Sequence, residues 1–400
     1  MTRFAQQVLL TVGWLCIFLL VDTAAADDGA VVRVDGATET GSLAGIDLAR
    51  GVTLETPSGR RDVAIDQLVE WGTPRDTSGP AIVVLGDGSE LSALAVNLAD
   101  DDLTMTNPVA GRVTVAIEHV AAMVLESPTS ITDRDRLIDD LRTRSQQSDR
   151  VWTRDGDVFS GALTSISATS VTIDRAGASF DVPTADVRTI ALDASLTVVA
   201  EPAQRGVWCG LADGSRLLAQ NVTTTAGNVQ IEHAGVSTLS VPVAQIVWLL
   251  PLRTGTGITY VSDLEPTEYV HVPLLGRDWP YRLDISVAGT PLRAGGRRYV
   301  KGLGLHSASR LSYDLAGQYR RFESLVAIDE HVAAGGGSVV FRVRADGKVV
   351  YESLTLRSGD PPQPVSVDVT GAQRITLEVD YADRGHVLDR ADWLGARLVK

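Results

Sequence analysis

One pattern recurs four times before residue 254: a short apolar strand, an Asp-Gly pair, then further short strands of alternating character. The pairs are Asp35-Gly36, Asp87-Gly88, Asp155-Gly156 and Asp213-Gly214, spaced 52, 68 and 58 residues apart. Asp-Gly between alternating apolar residues is a hairpin signal, because glycine reaches positive φ without steric cost. The third unit shows the scheme most fully, with Val151-Trp152, Gly161-Ala162-Leu163, Val171-Thr172-Ile173, Phe180-Asp181-Val182-Pro183 and Val187 to Leu192. The fourth repeats it with Val207-Trp208, Val229-Gln230-Ile231, Leu239-Ser240-Val241-Pro242 and Ile246 to Leu250. Each unit has room for four or five short strands, the size of a small SH3-like barrel or of one sheet in a stacked array.

The long 68-residue gap holds the one good helix signal, residues 131–147. Ile131, Leu137, Ile138 and Leu141 fall at helical spacing, and Ser130 or Asp133 is placed to cap the start. This predicts a helical connector over 129–148 that splits the repeats into two pairs, 27–128 and 149–253, and that turns a charged face to solvent.

Lys+Arg totals 36 against 50 for Asp+Glu, a net charge of −14. That balance argues against nucleic acid as a partner, since phosphate binding needs clustered positive charge. Residues 1–26 have the order of an export signal: Arg3, an uncharged stretch from Val8 to Val21, then Ala24-Ala25-Ala26 before two aspartates. Cleavage after Ala26 is the expectation, which places the protein in the periplasm or at the cell surface with no membrane span left. Cys209 is then the single remaining cysteine, and beside Trp208 in a strand it reads as a small buried apolar residue. The repeats carry no spaced metal ligands, phosphate loop or nucleophile elbow.

From about residue 254 the character changes. Aromatic residues become frequent, and strand signals follow at Leu311 to Leu315, Phe322 to Ile328, Val339 to Arg344, Lys348 to Leu356, Val365 to Val369 and Arg374 to Tyr381. Short strands with turn signals between them read as an antiparallel β-sandwich. The fold class is thus all-β: four small β-barrel or SH3-like repeats with one helical connector, then a sandwich over 254–400.

Tyr299-Val300-Lys301-Gly302-Leu303-Gly304-Leu305-His306-Ser307 resembles the opening motif of the NPCBM module, a carbohydrate-binding module associated with glycoside hydrolase family 98. Tyr313-Asp314-Leu315, Asp329, Ser338 to Val343, Asp346-Gly347-Lys348, Tyr351-Glu352-Ser353, Asp368-Val369-Thr370-Gly371 and Asp389-Arg390-Ala391-Asp392-Trp393 agree in order, over about residues 266–400. The family's closing motif carries His where this chain has Arg390. The resemblance implies a jelly-roll-like sandwich that binds galactose-type sugars. Together with the export signal, the repeats and the arginine-rich usage, it is similar to exported proteins of planctomycete-type bacteria.

Sugar recognition combines an aromatic face with fixed polar groups. The carbohydrate-binding candidates are His306, Arg310, Asp329, Glu330, His331, Arg390, Asp392 and Trp393. Core or turn roles compete for His306, Asp329 and Trp393. Asp380, Asp383, Asp389 and Asp392 around Gly385 read as a solvated acidic loop, with a structural Ca²⁺ site as the second reading. No region resembles a catalytic barrel, so no enzyme activity and no cofactor are expected. The leading functional expectation is an exported, non-enzymatic glycan-binding protein. The alternative is a structural or assembly protein of the cell envelope that uses the sandwich and repeats for protein contacts.

Overall fold

The computed structural model describes residues 29–400 except 78, 199–204, 254–256, 274–275, 277 and 384. The export signal expected over 1–26 lies outside the described residues. Among the described residues the fold is all-β apart from one α-helix and short 3-10 turns.

The four Asp-Gly units share one plan. The third runs Asp149–Thr153, Val158–Ile166, Ser170–Arg175, Ala178–Pro183, a 3-10 turn at Thr184–Asp186, and Val187–Ala191. In every unit the Asp-Gly glycine takes a φ between 81° and 92°, so the first hairpin closes there. Strands one to four form a meander, and the fifth returns to pair with the first, as Val187–Ala191 does with Asp149–Thr153.

The units do not stand in chain order. The third neighbours the second, the second the fourth, and the fourth the first. The outer two junctions are alike. Fifth strands pair with fifth strands, Met123 with Ile190 and Leu249 with Trp71. Second strands also meet, Ile166 with Leu98 and Thr223 with Asp47. The central junction is of another kind: fourth strand meets fourth strand at Val115 and Val236, and Glu90 lies opposite Arg216. These pairings link the strands of all four units across the array, enclosing one shared core. In space, units from the two chain-order pairs alternate along the array. Which edges pair is decided by side chains at the junctions, and the connector length does not encode it.

The helix spans Ile131–Thr143, with the Ser130 side chain accepting a hydrogen bond from the Asp133 amide at 3.3 Å. It ends four residues before the predicted limit. Ile138 and Leu141 pack on Ile82, Val84, Ala122, Val124 and Ala191, so the helix straps the second and third units together. Its charged face meets solvent at Asp133, Arg136, Asp140 and Arg142 as expected, with Arg134 and Asp135 as the buried exceptions. Cys209 is buried, and desolvation pushes its thiol up to about 12, which keeps it an unreactive apolar group.

The carboxy-terminal part is a two-sheet antiparallel sandwich. One sheet orders the strands Arg282–Leu283, Gly302–His306, Arg390–Val399, Arg321–Ile328 and Gln363–Asp368. The other orders Glu268–His271, Ser309–Asp314, Arg374–Tyr381, Ser338–Ala345 and Lys348–Glu352. Trp393 sits between Phe322 and Phe341, edge-on to Phe341 at 5.2 Å. The glycines of the Gly302–His306 strand have a packing cause. A Cβ on Gly304 would lie 2.4 Å from the Val287 amide nitrogen, and one on Gly302 2.3 Å from the Trp393 carbonyl oxygen.

The sandwich is docked on the repeats through buried charges. Arg293 donates two hydrogen bonds to Asp76, at 2.7 and 3.1 Å, and a third to Asp135 at 3.1 Å. His331 lies between Asp135, 3.1 Å from Nε2, and Asp329, 2.8 Å from Nδ1. Nearby, Glu90 receives both Arg216 at 2.7 Å and Arg298 at 3.1 Å. Burial would raise the Glu90 carboxyl, but the two guanidinium groups prevail and hold it down at about 2. For His331, burial acts to lower the pKa. The hydrogen bonds that the imidazolium donates to the two carboxylates outweigh it and bring His331 up to about 9.

Two expected outcomes follow from this junction. Arg293→Ala removes the charged hydrogen bonds across the junction while Asp76 keeps Arg134 and Asp135 keeps His331, and costs about 1.5–3 kcal/mol, read by calorimetric unfolding of the whole chain. A folded-state pKa of about 9 for His331 stands above the unfolded value of about 6.5. Its contribution is complete below the unfolded value and is lost as pH rises through the folded one. The melting temperature therefore falls across that interval, and His331→Gln removes this part of the slope. A wild-type profile parallel to the variant's across the interval would contradict the assignment.

Candidate functional site

Strand alternation explains where the motif residues go. Along Gly302–His306, Leu303 and Leu305 join the sandwich core, which leaves Gly304 and His306 on the opposite side. Along Arg390–Val399, Ala391 and Trp393 join the core, which leaves Arg390 and Asp392 on that same opposite side. His306 and Arg390 are cross-strand partners at the end of the sheet.

An aromatic cluster forms at this end. Trp279 stacks flat on His306, with centroids 4.9 Å apart and planes 5° from parallel. His271, closing the strand Glu268–His271, meets His306 edge-on at 6.1 Å and carries Asp278 at 2.8 Å from Nδ1. The Tyr269 hydroxyl donates to the Trp279 carbonyl, and Tyr269 packs edge-on against Tyr281 at 5.0 Å. On the other side the Ser307 hydroxyl lies 3.4 Å from His386 Nδ1, and His386 packs against the exposed Tyr381 at 4.6 Å. Trp279, His386 and Arg390 are half-buried. Desolvation, aided by His271, His386 and Arg390 nearby, outweighs a hydrogen bond to the Ser307 backbone and pushes His306 down to about 4. At neutral pH its ring is uncharged, with one donor and one acceptor nitrogen, the inventory a sugar hydroxyl matches.

The eight residues proposed from sequence are separated by the structure. His306 and Arg390 belong to the cluster just described. Arg310, on Ser309–Asp314, is exposed and pairs with Glu378 at 3.3 Å. Glu330 lies on the far side and accepts from the Gly296 amide at 2.8 Å. Asp329 and His331 are part of the docking network. Asp392 is fully buried beside Asp329, and desolvation reinforced by that neighbour raises its carboxyl well above the ordinary range. Trp393 is 0% exposed and offers no face to a ligand. Its burial follows from alternation with Ala391, two residues before it on the last strand.

The acidic stretch does not converge either. Asp380 faces Arg342 at 3.0 Å, Asp383 faces Arg357 at 2.6 Å, and Asp389 accepts from the Ser338 amide at 2.8 Å. Among the described residues no group of three or more His, Cys, Asp or Glu is placed to hold a metal ion.

Trp279, His271, His386 and Tyr381 are the members that sequence reasoning passed over. Each stands in a segment flanking a motif, and only the strand order brings these segments to one end. Trp393→Ala empties the core and costs about 3–5 kcal/mol. Trp279→Ala, at a half-buried loop position, changes stability by less than about 1 kcal/mol. Urea unfolding of both variants checks this division between core and surface.

Comparison with known proteins bears on this same segment. Residues 257–399 match the NPCBM/NEW2 domain family. A protein of Renibacterium salmoninarum named "Putative endo-alpha-N-acetylgalactosaminidase" is 30% identical over 158 residues, which is 38% of this chain and 10% of that protein. The Alpha-1,3-galactosidase B of Akkermansia muciniphila is 32% identical over 117 residues, 28% of this chain and 14% of that protein. The chain thus matches only a small share of the length of these curated relatives. Among solved structures, CBM51 from Clostridium perfringens GH95 in complex with methyl-galactose aligns at 24% identity with a TM-score of 0.33, covering 36% of this chain and 99% of that one. The family that the Tyr299 to Ser307 motif resembles is the family found.

Proposed function

We propose that the chain, whose residues 257–399 form an NPCBM/NEW2 domain, is an exported, non-enzymatic protein that binds glycans at the Trp279–His306–Arg390 end of its sandwich. The family match over this segment is the observation that carries the reading. The cluster supplies parts that sugar recognition needs, an aromatic plane at Trp279 and a guanidinium at Arg390, backed from beneath by the buried His306 ring and Ser307 hydroxyl. The names of the two curated relatives refer to N-acetylgalactosamine and galactose, which favours galactose-type sugars as the first probes. The repeats serve as the body on which the module is held in a fixed orientation. Catalysis is not part of this reading, which rests on the match of residues 257–399 to a carbohydrate-binding module.

Titration of the whole chain with methyl galactoside, N-acetylgalactosamine and N-acetylglucosamine tests it, alongside a glycan array. Binding of at least one sugar is expected, weakened about tenfold or more in Trp279→Ala with the fold retained. Loss of binding in Arg390→Ala supports the same site. Silence of the folded chain towards all sugars on the array, or binding that Trp279→Ala and Arg390→Ala leave intact, would sink the proposed site.

A further inference from the structure

The central junction of the array has an internal twofold pattern. Ser89 Oγ accepts from the Leu218 amide at 3.0 Å, and Ser215 Oγ accepts from the Ser92 amide at 2.9 Å. Asp87 of the second unit meets His233 of the fourth at 2.8 Å. Asp213 of the fourth meets Asn107 of the second, also at 2.8 Å. Each contact occurs twice with the units exchanged. Glu90 and Arg216 are the same position in their two units, and they face each other on the axis. Identical residues there would set like charges together. The Glu–Arg difference makes this junction specific for two different units.

Among the described residues, the third unit ends the array with the corresponding face unpaired. Val158 stands where Glu90 and Arg216 stand, Phe159 where Leu91 and Leu217 stand, and Phe180 where Val113 and Leu239 stand. In the central junction Leu91, Leu217, Val113 and Leu239 are 0–2% exposed. Val158, Phe159 and Phe180 are 49%, 36% and 49% exposed. The edge strand Ala178–Pro183 runs beside them. The first unit ends the other side of the array with Thr38, Glu39 and Arg61 at these positions, and Glu39 and Arg61 pair at 3.6 Å. That is how a free edge is ordinarily protected, by charge. The third unit lacks this protection and keeps the apolar side chains of a junction.

We infer that this face is the interface for a second copy of the chain, joined third unit to third unit about a true twofold axis. The arrangement repeats the central junction with both sheets continued across it. Val158 on the axis meets itself, which an apolar residue tolerates and Glu90 or Arg216 would not. Arg175 occupies the place of Asn107 and His233, and Asp155 the place of Asp87 and Asp213. The two copies therefore exchange reciprocal Asp155–Arg175 ion pairs where the central junction has Asp–His and Asp–Asn contacts. Repeat one of another copy does not fit this face, because it would bring Glu39 and Arg61 against Phe159 and Phe180.

Sedimentation velocity of the whole exported chain tests the inference. A dimer is expected at micromolar concentration. Val158→Glu and Val158→Arg each place like charges on the axis and raise the dimer Kd on the order of 100-fold. An equimolar mixture of the two recreates the Glu–Arg pair of the central junction and restores association as a heterodimer. Val158→Cys forms a covalent dimer on oxidation, and the buried Cys209 does not compete. Circular dichroism confirms that these surface variants stay folded. A wild-type chain that remains monomeric up to about 100 μM overturns the inference and assigns the face to a different protein. So does a dimer that Val158→Arg leaves unchanged. The sugar-binding reading is tested on the monomeric variants, so the two proposals stand or fall separately.

Discussion

Arg293 is the group on which the two-part architecture depends. Its guanidinium is all but inaccessible, and it binds one carboxylate from the linker after the first repeat and another from the helix. A buried guanidinium without partners is several kcal/mol unfavourable, whereas Asp76 and Asp135 also have Arg134 beside them within the repeats. The sandwich has no carboxylate of its own on Arg293, whose partners Asp76 and Asp135 both come from the repeat half. Docking is therefore the state in which this charge is satisfied, and the separated sandwich must leave it to water. The bidentate geometry to Asp76 also fixes an angle, which a single apolar contact would not do.

The same logic explains a division of labour across one sheet face of the sandwich. Alternation places His306, Arg390 and Asp392 on that face, but its two regions have different fates. Around Asp392 the hairpin of Leu292–Ala294 and Arg297–Tyr299 covers the sheet and turns its charges to the repeats. At His306 and Arg390 the cover is the Trp279 loop, which stays half-exposed. One face thus carries a sealed junction and an open aromatic end, with Asp329, Asp392 and His331 belonging to the first.

Much of this was legible in the residues. The Asp-Gly pairs marked all four units, because positive φ at a two-residue turn is a local requirement that few residues meet. Ser130 and the spacing of Ile138 and Leu141 marked the helix. The Tyr299 to Ser307 motif marked the family, and Gly304 shows why: its neighbours leave no room for a Cβ. The order of units along the array was not legible, since it depends on which edges complement one another. Nor was the role of Asp135, whose partners Arg293 and His331 are more than 150 residues away. Trp393 resembled a sugar-binding tryptophan by type, and only its parity along the strand showed that it faces the core.

The array also shows how repeats of one plan are kept from pairing indiscriminately. Four units with interchangeable edges could assemble in many orders or across molecules. The outer junctions use fifth strands and second strands, and the central one uses fourth strands, so each inner unit presents two different surfaces. At the central junction the choice falls to one position, with Glu90 in one unit and Arg216 in the other. Arg298 from the sandwich also binds Glu90. The residue that sets the order of the repeats is therefore tied directly to the module docked on them. Register within the array and docking of the sandwich are stabilised by the same carboxylate, so an array assembled in another order would lose the module's contact as well.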